Sequence, residues 1–460
     1  MNQRPQPRLK FAVYDCPQIV SKRITEVLTG EGHDVLFEGA LNKDNACTEA
    51  DVWIAKWTFL FTPEFLPHFH PRKGIITLTS GKDHINEGCI RDLGLKVFNC
   101  PEFSSNSVAE HAMALAMRSL YGPCVLPPLS DGKVLFTRFS DEHAEAAVAQ
   151  MLMRSRQMNE SIKRANSYEY FRPDDPMRRR HDEPWFNDEM SELKIGIVGD
   201  DRTPARLFQM LSEGFRCKIF GFEASNKLDV EHLHLLHMLD YCDYVFLCTE
   251  RFGLQKINEP NGQAGGPPMR FDSNELPMAD FRLSGSSVSV LGLGRIGLKI
   301  ARISRHGFGC DVSYYKTKPD PSLEEREGIS FKGVESALND SNFVFVALPL
   351  NAGTKFLVKG DHLSRLSTGR QRVIVNVTRD KIIESDPLYS FLANGCIFSY
   401  ATDVLPNDYV LWTGGQPDDT TKKFVQHSSV VATPHEGDCS WPSLERMARD
   451  VIDIVKGGEW

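Results

Sequence analysis

The chain has eleven cysteines but no C-x-x-C pair, so nothing in it suggests a zinc site or a dithiol redox motif, and no metal is expected. An odd, scattered set also argues against a disulfide framework and for a reduced, cytoplasmic setting. Long apolar runs are missing as well: no stretch reaches the roughly 20 residues of a spanning helix. The start, MNQRPQPRLKFAVYD, has no apolar h-region, so no membrane partner is expected. Neither sign of charge dominates. Against 61 acidic residues there are 53 basic ones, a net charge of −8, which disfavours broad nucleic-acid binding. The one short basic run, Arg178 to Arg180, lies among Asp174, Asp175, Asp182 and Glu183 and reads as a solvated loop.

What is present is an ordinary globular composition, 41% hydrophobic and 25% charged. At about 150 residues per domain, 460 residues allow about three domains. Short apolar runs alternate with amphipathic stretches, the pattern of an α/β chain. The runs are Phe11–Tyr14, Val52–Ala55, Ile75–Leu78, Ile195–Val198, Tyr244–Leu247, Val288–Leu291, Phe343–Ala347 and Val373–Val377. Several are continuously apolar, as in parallel strands covered on both faces. Residues 258–268, rich in Gly and Pro, read as a linker. A second irregular stretch, 168–190, is charged and carries Pro173, Pro176 and Pro184.

The chain also matches itself. Residues 192–223 align with 285–316 at a constant offset of 93, pairing Gly199 with Gly292, Arg202 with Arg295, Gly214 with Gly307, Phe215 with Phe308 and Cys217 with Cys310. A weaker match, with five of seventeen positions identical, sets 103–119 on 139–155. Two matches in the same chain order point to an internal duplication.

Only the later copy keeps a complete nucleotide-binding turn. Gly292-Leu-Gly294-Arg295-Ile296-Gly297 follows an apolar strand and opens a helix. The first glycine permits the tight turn, the second lets a pyrophosphate approach, and the third lets helix and strand pack closely. The acidic residue that would hold an NAD ribose is replaced by Lys316, followed by Thr317 and Lys318. That favours NADP(H) over NAD(H), with a site tolerant of either as the alternative. In the earlier copy Asp201 and Pro204 stand where the second and third glycines belong. Two carboxylates would repel a pyrophosphate there, and Glu223, at the ribose-acid position, has little to hold.

Further motifs accumulate after the intact turn: Leu348-Pro349-Leu350 with Thr354, then VNVTRDKII (375–383), then Asp403-Val404, then Thr433-Pro434-His435. With TSGKDHINEGCIRDLGLKVFNCPEFSSNSVAEHAMAL (79–115), these make the chain similar to the D-isomer-specific 2-hydroxyacid dehydrogenases over roughly 8–120 and 280–460. The resemblance implies a flavodoxin-like substrate domain (1–120 and 405–460) and a Rossmann dinucleotide-binding domain (276–404). Residues 121–275 are then left as a degenerate Rossmann-like insert. It also implies NAD(P)-dependent interconversion of a 2-keto acid and a D-2-hydroxy acid.

Histidine suits proton exchange with a carbonyl oxygen at neutral pH, and His435 is the candidate. Arg379 matches the arginine that holds the substrate carboxylate; a guanidinium offers a fixed fork of donors for that task. Asp408 falls at the position of the acid that tunes the histidine, though the family carries a glutamate there. Asp380 replaces a glycine after the arginine and is a potential competitor for Arg379. Asp403 is expected near the nicotinamide. Pro349, Thr354 and Thr378 join the cofactor set, and Ser80, Gly81 and Lys82 the substrate loop. A catalytically impaired dinucleotide sensor or scaffold is the alternative; a cofactor-retaining, redox-neutral enzyme is a third reading. Relatives dimerise around the helix corresponding to Val108–Arg118, so either a homodimer or an intrachain pseudo-dimer with the degenerate copy is expected.

Overall fold

The structure is a computed structural model. It describes residues 8–39, 41, 43–56, 61, 63–80, 85–126, 133–137, 143–167, 189–198, 202–222, 241–248, 269–272, 276, 277, 279, 281–367, 369–408, 410, 415–457 and 460. The described residues fall into two compact units.

The first unit comprises the described residues up to Asn106 and from Asp438 onward. Its strands β1 (Lys10–Tyr14), β2 (Asp34–Gly39), β3 (Val52–Ala55), β4 (Gly74–Thr77) and β5 (Lys96–Asn99) are all parallel. They lie in the order β2-β1-β3-β4-β5, the flavodoxin-like arrangement. β3 and β4 are buried along their whole length, as continuous apolar runs require. Helices Gln18–Gly30 and Trp441–Gly457 contribute Ile24, Leu28, Met447 and Val451 to one apolar cluster with Phe11, Ile54 and Ile76.

The second unit, drawn from the described residues between Ser107 and Gly437, holds two parallel sheets. One contains β6 (Val134–Thr137), β7 (Lys194–Val198), β8 (Lys218–Phe222), β9 (Tyr244–Leu247) and β10 (Met269–Asp272), in the order β10-β6-β9-β7-β8. The other contains β11 (Ser287–Leu291), β12 (Asp311–Tyr315), β13 (Ser330–Phe331), β14 (Phe343–Val346), β15 (Val373–Asn376), β16 (Ser399–Thr402) and β17 (Val430–Ala432), in the order β13-β12-β11-β14-β15-β16-β17. One apolar cluster spans both, joining Phe136, Tyr244 and Phe246 to Val288, Val290 and Phe343.

Two expected boundaries move. Residues from 405 stay with the seven-stranded sheet through Gly437, because Val430–Ala432 pairs with Tyr400–Thr402 and extends that sheet. At the other end, residues 107–120 belong to the second unit rather than the first. Val108, Ala112, Leu115 and Ala116 of helix Ser105–Tyr121 are buried in the second unit's core.

The segments that match in sequence share their local structure. β7 pairs with β8 in the register Lys194↔Lys218, and β11 with β12 in the register Ser287↔Asp311. Each first strand leads to a helix whose last turn is π-helical, Gln209–Gly214 and Ile303–Gly307. Those turns touch through matching residues. A Cβ added to Gly307 would lie 2.8 Å from the Gly214 Cα, and the rings of Phe215 and Phe308 meet edge to face at 6.0 Å. The altered turn Gly199, Asp200, Asp201 lies outside the described residues, as do Glu223, the 258–268 linker and Arg178 to Arg180.

This contact has no room for a methyl group. Gly307→Ala is expected to destabilise the protein by about 1–3 kcal/mol, read as a lower urea midpoint at unchanged slope.

Candidate active site

The glycine turn is built as its sequence demands. Gly292 has φ +102°, and a Cβ there would come 2.5 Å from the Ala347 carbonyl oxygen. A Cβ on Gly297 would sit 1.9 Å from the Gly292 carbonyl oxygen. At Gly294 the same test meets nothing within 4 Å. The first and third glycines are therefore steric necessities, whereas the second leaves open space before helix Arg295–Arg302. That open cradle fits the approach of a pyrophosphate to the helix's first N–H groups. Arg295 is exposed and Ile296 half-buried beside it.

The other expected cofactor residues ring the same sheet ends. Lys316, Thr317 and Lys318 follow β12 and are exposed, with Lys316 Nζ 3.7 Å from Asp320 Oδ2. Thr354 Oγ1 donates to the Pro349 carbonyl at 2.5 Å and accepts from Asn351 N at 2.9 Å, closing that turn. Thr378, after β15, donates from N and Oγ1 to Asn376 Oδ1, both at 3.1 Å. Asp403, expected near the nicotinamide, also anchors a loop of the chain itself. It is buried, and its two carboxylate oxygens accept from Thr433 Oγ1 (2.6 Å), Glu436 N (3.0 Å) and Gly437 N (2.8 Å). His111 Nε2 lies 3.3 Å away. Burial raises the Asp403 pKa, but His111, His435 and the hydrogen bonds outweigh it and hold it down at about 2.

Asp403 thereby fixes the loop that carries His435. Loop and carboxylate are so close that a Cβ on Gly437 would come 2.9 Å from Asp403 Oδ2. His435 itself adopts φ +55°, left-handed backbone that a non-glycine residue holds only when its surroundings demand it. Its Nδ1 lies 2.7 Å from Asp408 Oδ2. Burial lowers the His435 pKa and Arg379 lowers it further, but the Asp408 hydrogen bond and the charges of Asp408 and Asp403 prevail, so the net shift is upward. The structure thus brings together His435, Asp408, Asp403 and Arg379, the last held partly by its own donation to the Thr378 carbonyl at 2.7 Å.

Asp380 accepts from the backbone N–H of Asn407 at 2.9 Å, beside Asp408. Burial raises its pKa, and the neighbouring Asp408 charge adds to the rise. Of the expected substrate loop, Ser80 is described, exposed, and accepts from Asn99 Nδ2 through its carbonyl at 2.8 Å. Gly81 and Lys82 lie outside the described residues.

Several residues behind the loop escape the sequence reading. Glu436 is buried and accepts from Arg164 Nη2 at 2.9 Å on both oxygens, and from Ser161 Oγ. Ser107 Oγ donates to the Gly437 carbonyl at 2.6 Å and accepts from Arg156 Nη1 at 2.8 Å. Arg156 Nη2 donates to Glu110 at 2.7 Å. A signal for part of this set exists in SVAEH: Ser107, Glu110 and His111 fall at i, i+3 and i+4, a polar face on an otherwise apolar helix.

Residues 268–437 match the family model "D-isomer specific 2-hydroxyacid dehydrogenase, NAD binding domain". That stretch, 170 of the chain's 460 residues, is similar to the family's NAD-binding domain. Among the curated relatives of the chain, a glyoxylate reductase of Thermococcus kodakarensis is 28% identical over 178 residues, 38% of this chain and 50% of the relative. A 2-hydroxyacid dehydrogenase homolog of Zymomonas mobilis is 25% identical over 212 residues, 45% of this chain and 60% of the relative. The chain thus spans about half the length of the first relatives it matches. In fold it is similar to D-lactate dehydrogenase from Aquifex aeolicus, solved with NAD and lactic acid: TM-score 0.56, 16% identity, covering 97% of this chain and 94% of that one. An acyclic imino acid reductase solved with NADPH and D-Arg gives TM-score 0.53 at 17% identity, covering 98% of this chain and 96% of that one. Both structures share the parallel-sheet α/β fold.

Removing the loop's anchor leaves polar groups buried without partners. Asp403→Asn is expected to cost about 3 kcal/mol of stability at pH 7, measured by urea denaturation. Because the folded pKa of Asp403 is depressed to about 2, its contribution is present above the unfolded value and fades as pH falls through the folded one. The variant's deficit should therefore shrink in acid.

Proposed function

We propose that this chain is an NAD(P)-dependent oxidoreductase that interconverts a 2-keto acid and a D-2-hydroxy acid by hydride transfer. The observation that carries the reading is the 2.7 Å contact between His435 Nδ1 and Asp408 Oδ2, with the Arg379 charge close enough to depress the histidine pKa. Asp408 holds Nδ1, and Nε2 is the ring nitrogen proposed to exchange a proton with substrate. In the reducing direction protonated His435 gives the Nε2 proton to the carbonyl oxygen as the C–H bond forms. Arg379 binds the substrate carboxylate and orients the carbonyl. The dinucleotide, when bound, supplies or accepts the hydride. The same contact favours an enzyme over a scaffold, because the shorter acid at 408 still reaches the histidine.

Gly292, Gly294, Arg295, Ile296 and Gly297 would hold the pyrophosphate, with Pro349, Thr354 and Thr378 along the rest of the cofactor. Lys316, Thr317 and Lys318 present positive charge and a hydroxyl where a 2′-phosphate would lie, so NADP(H) is the favoured cofactor. Ser80, Gly81 and Lys82 are the proposed substrate-carboxylate loop. Residues 121–275 are the degenerate copy, and its contact with the intact one would be an intrachain pair in place of a homodimer's.

With 2-keto acids and NADPH, His435→Ala should lower kcat by about 100-fold or more while changing cofactor affinity little. Arg379→Met should act chiefly by raising KM for the acid. The raised His435 pKa sets the pH dependence: reduction needs the protonated ring and is lost as pH rises through that pKa, whereas oxidation is lost below it. Asp408→Asn should move both limbs to lower pH. Thermal stabilisation by NADPH that does not exceed that by NADH would remove the cofactor preference, and failure of both to bind would remove the reading.

A further inference from the structure

Arg164 and Ser161 lie on helix Met158–Ser167, within the stretch proposed as the degenerate copy, yet both bond to Glu436, the residue after His435. We infer that this helix positions the proton-transferring histidine: Arg164 and Ser161 grip Glu436 from behind, and the grip keeps His435 Nδ1 on Asp408. The inference rests on the proposed role of His435 and adds a residue set to it.

The geometry leaves the loop little other freedom. Glu436 is fully buried and shares two 2.9 Å contacts with Arg164 Nη2, so its side chain cannot leave without stranding two charges. Its backbone N–H is tied at 3.0 Å to Asp403. The neighbouring Gly437 carbonyl is held by Ser107, and Ser107 by Arg156, which also comes from the stretch after helix Ala144–Ser155. His435 is therefore flanked by clamped groups and poised at φ +55°. Rotation of the Glu436 side chain away from Arg164 would turn the peptide that carries the histidine.

The stretch that supplies this helix also makes a contact in which like meets like. Gly214 faces Gly307 and Phe215 faces Phe308. Equivalent residues meeting across an axis is the mark of a two-fold contact. The stretch that has lost its glycine turn thus keeps the face that supports the active loop.

The charged groups facing Glu436 are Arg164, His111 and Asp403, and those facing His435 are Asp408, Asp403 and Arg379. Arg164→Met in the full chain tests the grip through His435 titration, followed by histidine NMR with His435→Gln for assignment. The expected result is a fall of the His435 pKa by about one unit, with kcat down about tenfold, KM for the acid little changed, and recovery of most of the shift in Arg164→Lys. Should Arg164→Met fail to fold, Arg164→Met with Glu436→Leu removes both charges together, a change that buried pairs tolerate, and the same fall is expected. An unmoved titration in the folded variant would overturn the inference. The two readings fail separately. A shifted titration in a protein that reduces no 2-keto acid keeps the grip and removes the proposed activity; an unmoved titration with His435-dependent turnover does the reverse.

Discussion

The second unit is organised around one buried carboxylate. Asp403 at the end of β16 accepts from a side-chain hydroxyl and two consecutive backbone N–H groups of the segment after β17. An ionised carboxylate with several donors and an adjacent histidine is one of the few forms in which such a charge is stable inside a protein. Its pKa near 2 expresses that balance. The consequence is geometric: two peptide N–H groups aimed at one side chain fix the path of residues 435–437, and that path forces His435 into left-handed backbone. The strain is held by interactions made elsewhere in the loop.

Asp408 and Asp380 make sense together as parts of one turn. An aspartate at 408 is one methylene shorter than a glutamate, so its backbone must come nearer for the carboxylate to meet His435. Asp380 accepts the Asn407 N–H at 2.9 Å and pins the peptide just before Asp408. Asn407 is further tied to Asp418 and holds φ +57°. Asp380 therefore has a bond that draws it toward the 405–408 turn, where the sequence alone suggests a competitor for Arg379. The arrangement has a cost, since Asp380 and Asp408 are like charges and the Asp380 pKa rises under burial and repulsion.

Local chemistry made much of this legible. The apolar runs became strands, with small differences at their ends: β4 begins at Gly74 and stops at Thr77, and β15 stops at Asn376. The glycine turn could be read because each glycine answers a local steric demand. The proposal of His435, Asp408 and Arg379 as a site comes from the resemblance in their order and spacing, and the structure sets the three side chains near one another. What stayed hidden depends on distance in sequence. Arg164 and Glu436 are 272 residues apart, and no periodicity or motif connects them. Nor do residue type and position say which backbone N–H groups turn toward Asp403. Val430–Ala432 is only three residues long, too short to announce in sequence a strand that extends the larger sheet past residue 405.

The contrast between the two matching segments is also physical. In the nucleotide turn the second glycine answers only a ligand's approach, since a Cβ on Gly294 meets nothing within 4 Å. A packed face is different. Gly214 and Gly307 each exclude any side chain from the other's position, and a substitution on either side is penalised in the folded chain whether or not a ligand is present. On the proposed reading, loss of binding in the earlier segment would release Asp200, Asp201 and Pro204 to vary while leaving Gly214 and Phe215 constrained by their counterparts. Retention of the π-helical turn in both segments, ending at Gly214 and Gly307, fits that division. The turn lies at the contact, and the contact is where the constraint survives.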